Sequence, residues 1–241
     1  MFVAIDIGNT MLKAAFFIEG AAEELLVLPA ESHVDEFVAG IERWLSHSDE
    51  VEALAICSGH WPYAMPKEVK RITAESNWPL EMHYDTPQTL GLDRLLLANA
   101  TWLEFQQDLL VITLGTCITY NIVKNDAFIG GAISPGWAMR YKAMHAFTEA
   151  LPHLVKSSET HVVGASTEES MWSGVDTALP LEMSAMIHTM QKETGIKLVI
   201  ICGGDAKALS NHLKSYIFAP SNYELYALQR IDEYFKSQSI K

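Results

Sequence analysis

The sequence predicts a mixed α/β protein built as two similar lobes, and three observations lead there. Apolar runs of strand length alternate with amphipathic stretches of helix length along the whole chain. The opening "AIDIGNT", residues 4–10, is echoed from Val111 by "VITLGTCIT". Each copy is an apolar run, a polar side chain, a glycine and a threonine. No low-complexity linker or block of like charge separates the halves, so the echo reads as one kind of lobe built twice. The division falls after residue 105, giving lobes 1–105 and 106–241.

Taken in order, "MFVAIDIGNTMLKAAFFIEG" reads as two strands joined by a Gly-Asn turn and closed by a polar turn. "VDEFVAGIERWLSH" is helical, because Val34, Phe37, Val38, Ile41 and Leu45 share a face. "VEALAICSG" is a short buried strand ending in Ser-Gly, and "GLDRLLLANATWLEF" is a strong helix. "DLLVITLGTCITYNIV" repeats the strand–turn–strand, and "AFIGGAISPG" continues it. A helix is expected through "WAMRYKAMHAFTEAL", and "STEESMWSGVDTALPLEMSAMIHTMQKE" is largely helical. Last, "IKLVIICGGDAKALSNHL" is a buried strand passing through Gly-Gly into a helix.

Composition bounds the function. The chain has 241 residues, 49% of them hydrophobic, enough for a large core and unlike a disordered chain. Its net charge of −13 repels nucleic acid and anionic membrane. A polyanionic ligand needs local cations, and those beside the turn motifs are Lys13, Arg94, Arg140 and Lys142. Cys57, Cys117 and Cys202 form no C-x-x-C pair and read as reduced, buried thiols. No basic segment precedes the first apolar run, and Asp6 and Lys13 interrupt it, so no signal peptide is expected. A cytoplasmic protein follows. The histidines show neither H-x-H nor H-E-x-x-H spacing, and no zinc site is expected.

A strand ending in a tight glycine turn exposes several backbone N–H groups at one point. Gly8 and Gly115 lack a Cβ, so a phosphate can approach the main chain there. Thr10 and Thr116 add hydroxyls, and Asp6 at a strand end suits Mg²⁺ against β and γ phosphates. Two such turns would grip a triphosphate. Each alone also fits an ordinary hairpin. "ICGGDAKAL" is a third glycine element, a strand–helix turn or a seat for a nucleotide's sugar or α-phosphate. Asp93 and Arg94 open the helix after "YDTPQTLGL". A carboxylate there is either a helix cap or a proton acceptor for an alcohol attacking phosphorus.

These residues carry a resemblance. "DIGNT", "Y…LGLDR", the Gly115–Thr116 pair, "IGGAISPG", "LP", "GASTEESMWSG" and "GGDAKAL" stand in the order seen in type III pantothenate kinases. Those enzymes belong to the acetate and sugar kinase, heat-shock protein and actin superfamily, and the wording is most similar to the Bacteroidetes branch. The resemblance runs from Phe2 to about Tyr234. It implies two ribonuclease-H-like lobes with ATP in the cleft between them, acting as a homodimer with shared active sites. It implies transfer of the γ-phosphoryl of ATP to pantothenate, the first step of coenzyme A synthesis. By matched position, Asp6, Ile7, Gly8, Asn9, Thr10, Met11, Leu12 and Lys13 form the first phosphate loop, with Asp6 near Mg²⁺. Thr116 is an ATP contact and Asp93 the proton acceptor. Tyr84, Gly91, Leu92 and Arg94 are pantothenate contacts, and Thr167 is one supplied across the dimer.

Two departures stand out. The family's second loop usually begins with an Asp associated with a monovalent cation, K⁺ or NH₄⁺; here that position is Thr113, and a second acidic position is Asn121. Ala227 stands where the family usually has Gly. The Thr113 change leaves two alternatives beside a working kinase. One is a weakened or inactive member serving as a ligand-binding or regulatory protein. The other is a kinase for another small hydroxyl substrate.

Overall fold

A computed structural model describes residues 1–239 except 49, 59, 60, 62 and 160. Gly59, the end of the expected Ser-Gly, lies outside the described residues. The chain runs through β1 (Phe2–Ile7), β2 (Met11–Ile18), β3 (Ala21–Pro29), α1 (Val34–Leu45), β4 (Glu52–Cys57), β5 (Val69–Arg71), β6 (Glu81–Met82) and α2 (Leu92–Phe105). It continues through β7 (Leu109–Leu114), β8 (Cys117–Lys124), β9 (Ala127–Pro135), α3 (Trp137–Ala146) and α4 (Thr167–Trp172). α5 (Ala178–Thr194), β10 (Leu198–Cys202), α6 (Ala206–Leu209), β11 (Ile217–Phe218) and α7 (Tyr223–Ser239) complete it. Among the described residues no helix is long and apolar enough to cross a membrane.

Two compact units result, and they interleave along the sequence. The first holds residues 1–107, 125–129 and 222–241; the second holds 108–124 and 130–221. A single cut after residue 105 therefore does not describe them. The reason is α7, whose Leu225, Leu228 and Ile231 recur at helical spacing and are buried, so that it packs on α2 and β1. Ala227, in the position of the family's glycine, is buried there too.

The first unit has the sheet order β3-β2-β1-β4-β5. β1 pairs antiparallel with β2 and parallel with β4. β3 is an edge strand that sequence reading missed. Its Ala-Ala-Glu-Glu-Leu-Leu stretch favours a helix, but pairing with β2 from Met11↔Pro29 to Ile18↔Ala21 overrides that preference. Glu19 and Gly20 close the β2–β3 turn with positive φ of 50° and 86°, as a primed two-residue hairpin requires. On α1, Phe37, Ile41 and Trp44 form the buried stripe, with Val34 and Leu45 at its margin.

The second unit repeats that plan, with strand order β11-β10-β7-β8-β9. β7 pairs antiparallel with β8 and parallel with β10. The repetition reaches individual positions. β1 and β7 are both six residues long with the same burial sequence, and their one half-buried position is Asp6 in β1 and Thr113 in β7. Both stand one residue before the last strand pair, Ile7↔Leu12 and Leu114↔Ile118. The core of this unit gathers Ile112, Leu114, Tyr120, Met183, Ile187 and Ile201.

Two helices are shorter than expected. α3 stops at Ala146, where the Thr148 hydroxyl donates to the Met144 carbonyl at 2.7 Å and the chain leaves toward Pro152. α6 is a single turn. The helical run from residue 167 is present but widens to a π turn at Ser173–Thr177. Pro180 follows and has no N–H to offer the Asp176 carbonyl four residues back. Ser166 caps α4, its Oγ accepting the Glu169 N–H at 3.1 Å, while the Glu169 carboxylate accepts the Ala165 N–H at 2.7 Å.

Candidate active site

In the first unit, charge collects at the end of β1. Asp6 and Lys13 are cross-strand partners, so their side chains share one face of the sheet. The Lys13 ammonium is ion-paired with Glu224 of α7. The Asp6 carboxyl is pushed up from 3.8 to about 7, with burial the largest cause. Within that shift the Glu224 charge also pushes up, the Lys13 ammonium pulls down, and Asp93 adds a smaller upward push. Glu224, Lys13 and Asp93 thus all bear on the Asp6 carboxyl. Such an excess of negative charge favours a cation.

Nearby, the β1–β2 turn holds Gly8, Asn9 and Thr10, with the Gly8 N–H donating to the Met11 carbonyl at 3.0 Å. A Cβ on Gly8 would stand 3.0 Å from that oxygen, which leaves little room for a side chain. Asn9 and Thr10 are exposed beyond the turn.

Asp93 lies in the first turn of α2, but Gly91 holds the cap position. The plain capping reading of Asp93 therefore does not describe it. A Cβ on Gly91 would stand 2.5 Å from Asp93 Oδ1, so Gly91 is what lets that carboxylate occupy its place. Leu92 begins the helix beside them. Arg94 is buried, its guanidinium carbon 5.9 Å from the Tyr84 ring centroid and 5.8 Å from that of Phe128. Those rings meet edge-to-face at 5.8 Å. The guanidinium is held between aromatic faces that restrict its direction.

In the second unit the site has no matching carboxylate. Thr113 Oγ1 lies 3.6 Å from Cys202 Sγ, in hydrogen-bonding contact through sulfur. Asn121 Nδ2 donates to Thr119 Oγ1 at 3.1 Å and to the Val111 carbonyl at 3.4 Å. Around Thr113 these groups are hydroxyl, amide and thiol, with no formal charge among them. They lack the carboxylate that the family pattern places at Thr113 and offer only neutral groups there.

The Gly115–Thr116 turn itself is built for close backbone approach. The Gly115 N–H donates to the Cys117 carbonyl at 3.0 Å, and the Gly136 N–H to the Thr116 carbonyl at 3.1 Å. A Cβ on Gly136 would fall 2.1 Å from the Gly115 carbonyl oxygen. Thr116 is exposed. Gly203, at φ +100°, lies against the Leu114 backbone, and the Asp205 N–H donates to the Leu114 carbonyl at 3.3 Å. The two glycine turns therefore meet at the carboxyl ends of adjacent parallel strands, β7 and β10, where ligands of open α/β sheets bind.

Thr167 stands apart from these turns. It is the exposed first residue of α4 and lines a pocket of about 620 Å³ with Met144, Ser166, Ser170, Met171 and Gly174. The first unit thus gathers Asp6, Lys13 and Asp93 in one electrostatic cluster, and Tyr84 with Arg94 in an aromatic cradle. The second gathers Thr113 and Thr116. Sequence reading missed Glu224 and Phe128. Nothing local marks Glu224, which reaches Lys13 across 211 positions.

Among the described residues no three His, Cys, Asp or Glu side chains come together to hold a metal by themselves. Mg²⁺ fits the Asp6 cluster in the manner usual for that ion, with one or two carboxylates completed by phosphate oxygens and water.

A profile of the type III pantothenate kinase family matches residues 2–190. The chain is 34% identical to a type III pantothenate kinase of Flavobacterium johnsoniae over 243 residues, covering 97% of this chain and 98% of that one. It is 36% identical to the enzyme of the same name from Phocaeicola vulgatus over 240 residues, with 97% and 98% covered. Among solved structures, a conserved putative Baf family transcriptional activator from Campylobacter jejuni superposes with a TM-score of 0.62 at 18% identity, covering 99% of this chain and 100% of that one. The activator of 2-hydroxyisocaproyl-CoA dehydratase from Clostridium difficile, solved with bound ADPNP, gives 0.57 at 12% identity, covering 100% and 97%. These two show the fold alone.

Proposed function

The chain belongs to the type III pantothenate kinase family, and from that premise we propose that it phosphorylates pantothenate with ATP, giving 4′-phosphopantothenate and ADP at the first step of coenzyme A biosynthesis. It is a phosphotransferase with an alcohol acceptor. The observation that carries the reading within the molecule is the convergence of Asp6, Lys13, Asp93 and Glu224 at the first glycine turn.

In the reaction the terminal hydroxyl of pantothenate attacks the γ-phosphorus. The new O–P bond forms as the bond to the β-bridging oxygen breaks, ADP leaves, and the hydroxyl proton passes to the Asp93 carboxylate. Gly91 keeps the space that Asp93 needs. Arg94, fixed between Tyr84 and Phe128, supplies the positive charge that complements the pantothenate carboxylate. Tyr84 and Leu92 frame that pocket. The backbone N–H groups of the Asp6–Lys13 loop and of the Thr116 turn receive the phosphates. Asp6 would hold Mg²⁺ together with the phosphates; when bound, that ion offsets charge on the β and γ groups. The neutral surroundings of Thr113 favour turnover that needs no K⁺ or NH₄⁺.

The active form is a homodimer in which Thr167 contacts the other subunit's pantothenate. The second unit's exposed apolar side chains support this, among them Ile133 at 61%, Leu181 at 68% and Phe147 at 87%. The enzyme works in the cytoplasm on these two small molecules, without nucleic acid or membrane. The test is a coupled assay of ADP release with pantothenate present and withheld. Release that depends on pantothenate is expected; release indifferent to it would overturn the reading.

A further inference from the structure

The cations expected to meet a polyanion are largely engaged elsewhere. Lys13 is paired with Glu224. Arg140 makes a two-pronged contact with Glu182, at 2.7 and 2.6 Å. Arg94 is enclosed by Tyr84 and Phe128. Lys142 is exposed on α3. That leaves the Gly115–Thr116 turn of the second unit in need of a positive charge. Backbone N–H groups alone neutralise a phosphate chain poorly.

We propose that Lys156 is the cation that receives the phosphate chain of the nucleotide on the second unit. Lys156 lies in the irregular stretch between α3 and α4 and remains exposed. Its ammonium sits 3.5 Å from the centroid of the Trp137 ring, a cation–π placement that fixes it in space. Trp137 is in turn anchored by its Nε1–H, which donates to the buried Asp176 carboxylate at 2.5 Å. The other Asp176 oxygen accepts the Ser157 N–H at 2.9 Å, so one carboxylate holds both the ring and the segment carrying the lysine. Trp137 directly follows Gly136, whose backbone rests on the Gly115 and Thr116 carbonyls. The ammonium is therefore tied to the second glycine turn through two residues, Trp137 and Gly136.

Asp205, last residue of the Gly203–Gly204–Asp205 turn, is coupled to Lys156 through its charge. Desolvation pulls the Lys156 ammonium below its usual range, partly offset by the Asp205 and Asp176 charges, and it pushes the Asp205 carboxyl up, partly offset by Lys156. No ion pair among the described residues takes up the ammonium. A fixed, accessible cation on the Trp137 ring and coupled to Asp205, with glycine turns at the ends of β7 and β10, is matched to a nucleoside polyphosphate. Nothing in the local sequence marks it, because "LVKSSET" follows no turn motif.

The inference rests on reading the Gly115–Thr116 turn as an ATP contact, and the experiment separates the two. ADP and adenosine binding are measured by calorimetry for the wild type, Lys156→Met and Lys156→Arg. Lys156→Met keeps an unbranched side chain of similar length and removes the charge, and with it the cation–π contact to Trp137. The expected result is about tenfold weaker ADP binding in Lys156→Met, unchanged adenosine binding, and recovery in Lys156→Arg. The KM for ATP rises by a similar factor, with the KM for pantothenate unmoved. A Lys156→Met protein that binds ADP like the wild type overturns the assignment alone. Equal losses for ADP and adenosine also overturn it, by showing a packing role on Trp137. A wild type that binds no ADP overturns both this assignment and the family reading of the turn.

Discussion

Replacing Asp6 by Asn is expected to make the protein more stable at alkaline pH while disabling it. Asp6 holds its proton up to about pH 7 in the folded chain and releases it near 3.8 when unfolded. Between those values the folded state binds more protons than the unfolded state, so stability falls as pH rises through that window. The gap from 3.8 to about 7, at about 1.36 kcal/mol per pKa unit, sets a ceiling of about 4 kcal/mol on the cost of the charged Asp6 above pH 7. Asp6 is partly accessible, and water reaching the carboxylate reduces this to about 1–3 kcal/mol. Asn carries no charge and escapes the cost. In thermal denaturation of both forms across pH 4 to 8, the difference curve is expected to start small or negative and to rise in favour of Asp6→Asn toward pH 8. Titrating groups not coupled to Asp6 cancel in that difference, whereas Glu224, Lys13 and Asp93 contribute to it through their coupling. Turnover of the variant is expected to fall by at least about 10², because the position that meets Mg²⁺ has lost its charge. A difference curve flat in pH, or an Asp6→Asn protein less stable at pH 8, would refute the electrostatic account of the cluster.

Four further outcomes follow from the same geometry. Asp93→Asn is expected to fold normally and lose about 10²–10⁴ in turnover; a variant with near-full turnover would reduce Asp93 to a charge at the start of a helix. Gly91→Ala places a methyl 2.5 Å from the Asp93 oxygen and is expected to cost about tenfold or more in kcat with a small change in Tm; unchanged kcat would show that Asp93 need not hold its position. The wild type is expected to be indifferent to potassium, and Thr113→Asp to acquire potassium-dependent turnover. A charge about 4 Å from the ion is worth roughly 4 kcal/mol at an effective dielectric near 20, so strong potassium activation of the wild type would place the cation elsewhere. Sedimentation at assay concentration is expected to give a dimer, and an active monomer would contradict the role given to Thr167.

What can be read from the sequence is local. The strand–glycine–strand turns at Gly8 and Gly115 declare themselves within ten residues, and the duplicated strand order follows from them. Asp6 and Thr113 match from the sequence alone because the repeat holds register as well as pattern. Features made by distant pairings are not legible. Glu224 modifies Asp6 and Lys13 from the far end of the chain. α7 joins the first unit for a reason visible only once its apolar stripe has a partner. β3 is hidden by helix-favouring residues that act as a strand only because β2 offers a ladder. Lys156 is hidden for a related reason, since its partners Trp137 and Asp205 are near it only in space.

The most direct test of the central claim is identification of the product. Wild-type protein is incubated with ATP, Mg²⁺ and pantothenate in potassium- and ammonium-free buffer, and the mixture is followed by phosphorus NMR and mass spectrometry. The account predicts 4′-phosphopantothenate and ADP appearing in equal amounts, with neither formed by Asp93→Asn at a comparable rate. ADP appearing without a phosphorylated pantothenate, or no reaction under any cation condition, would contradict it.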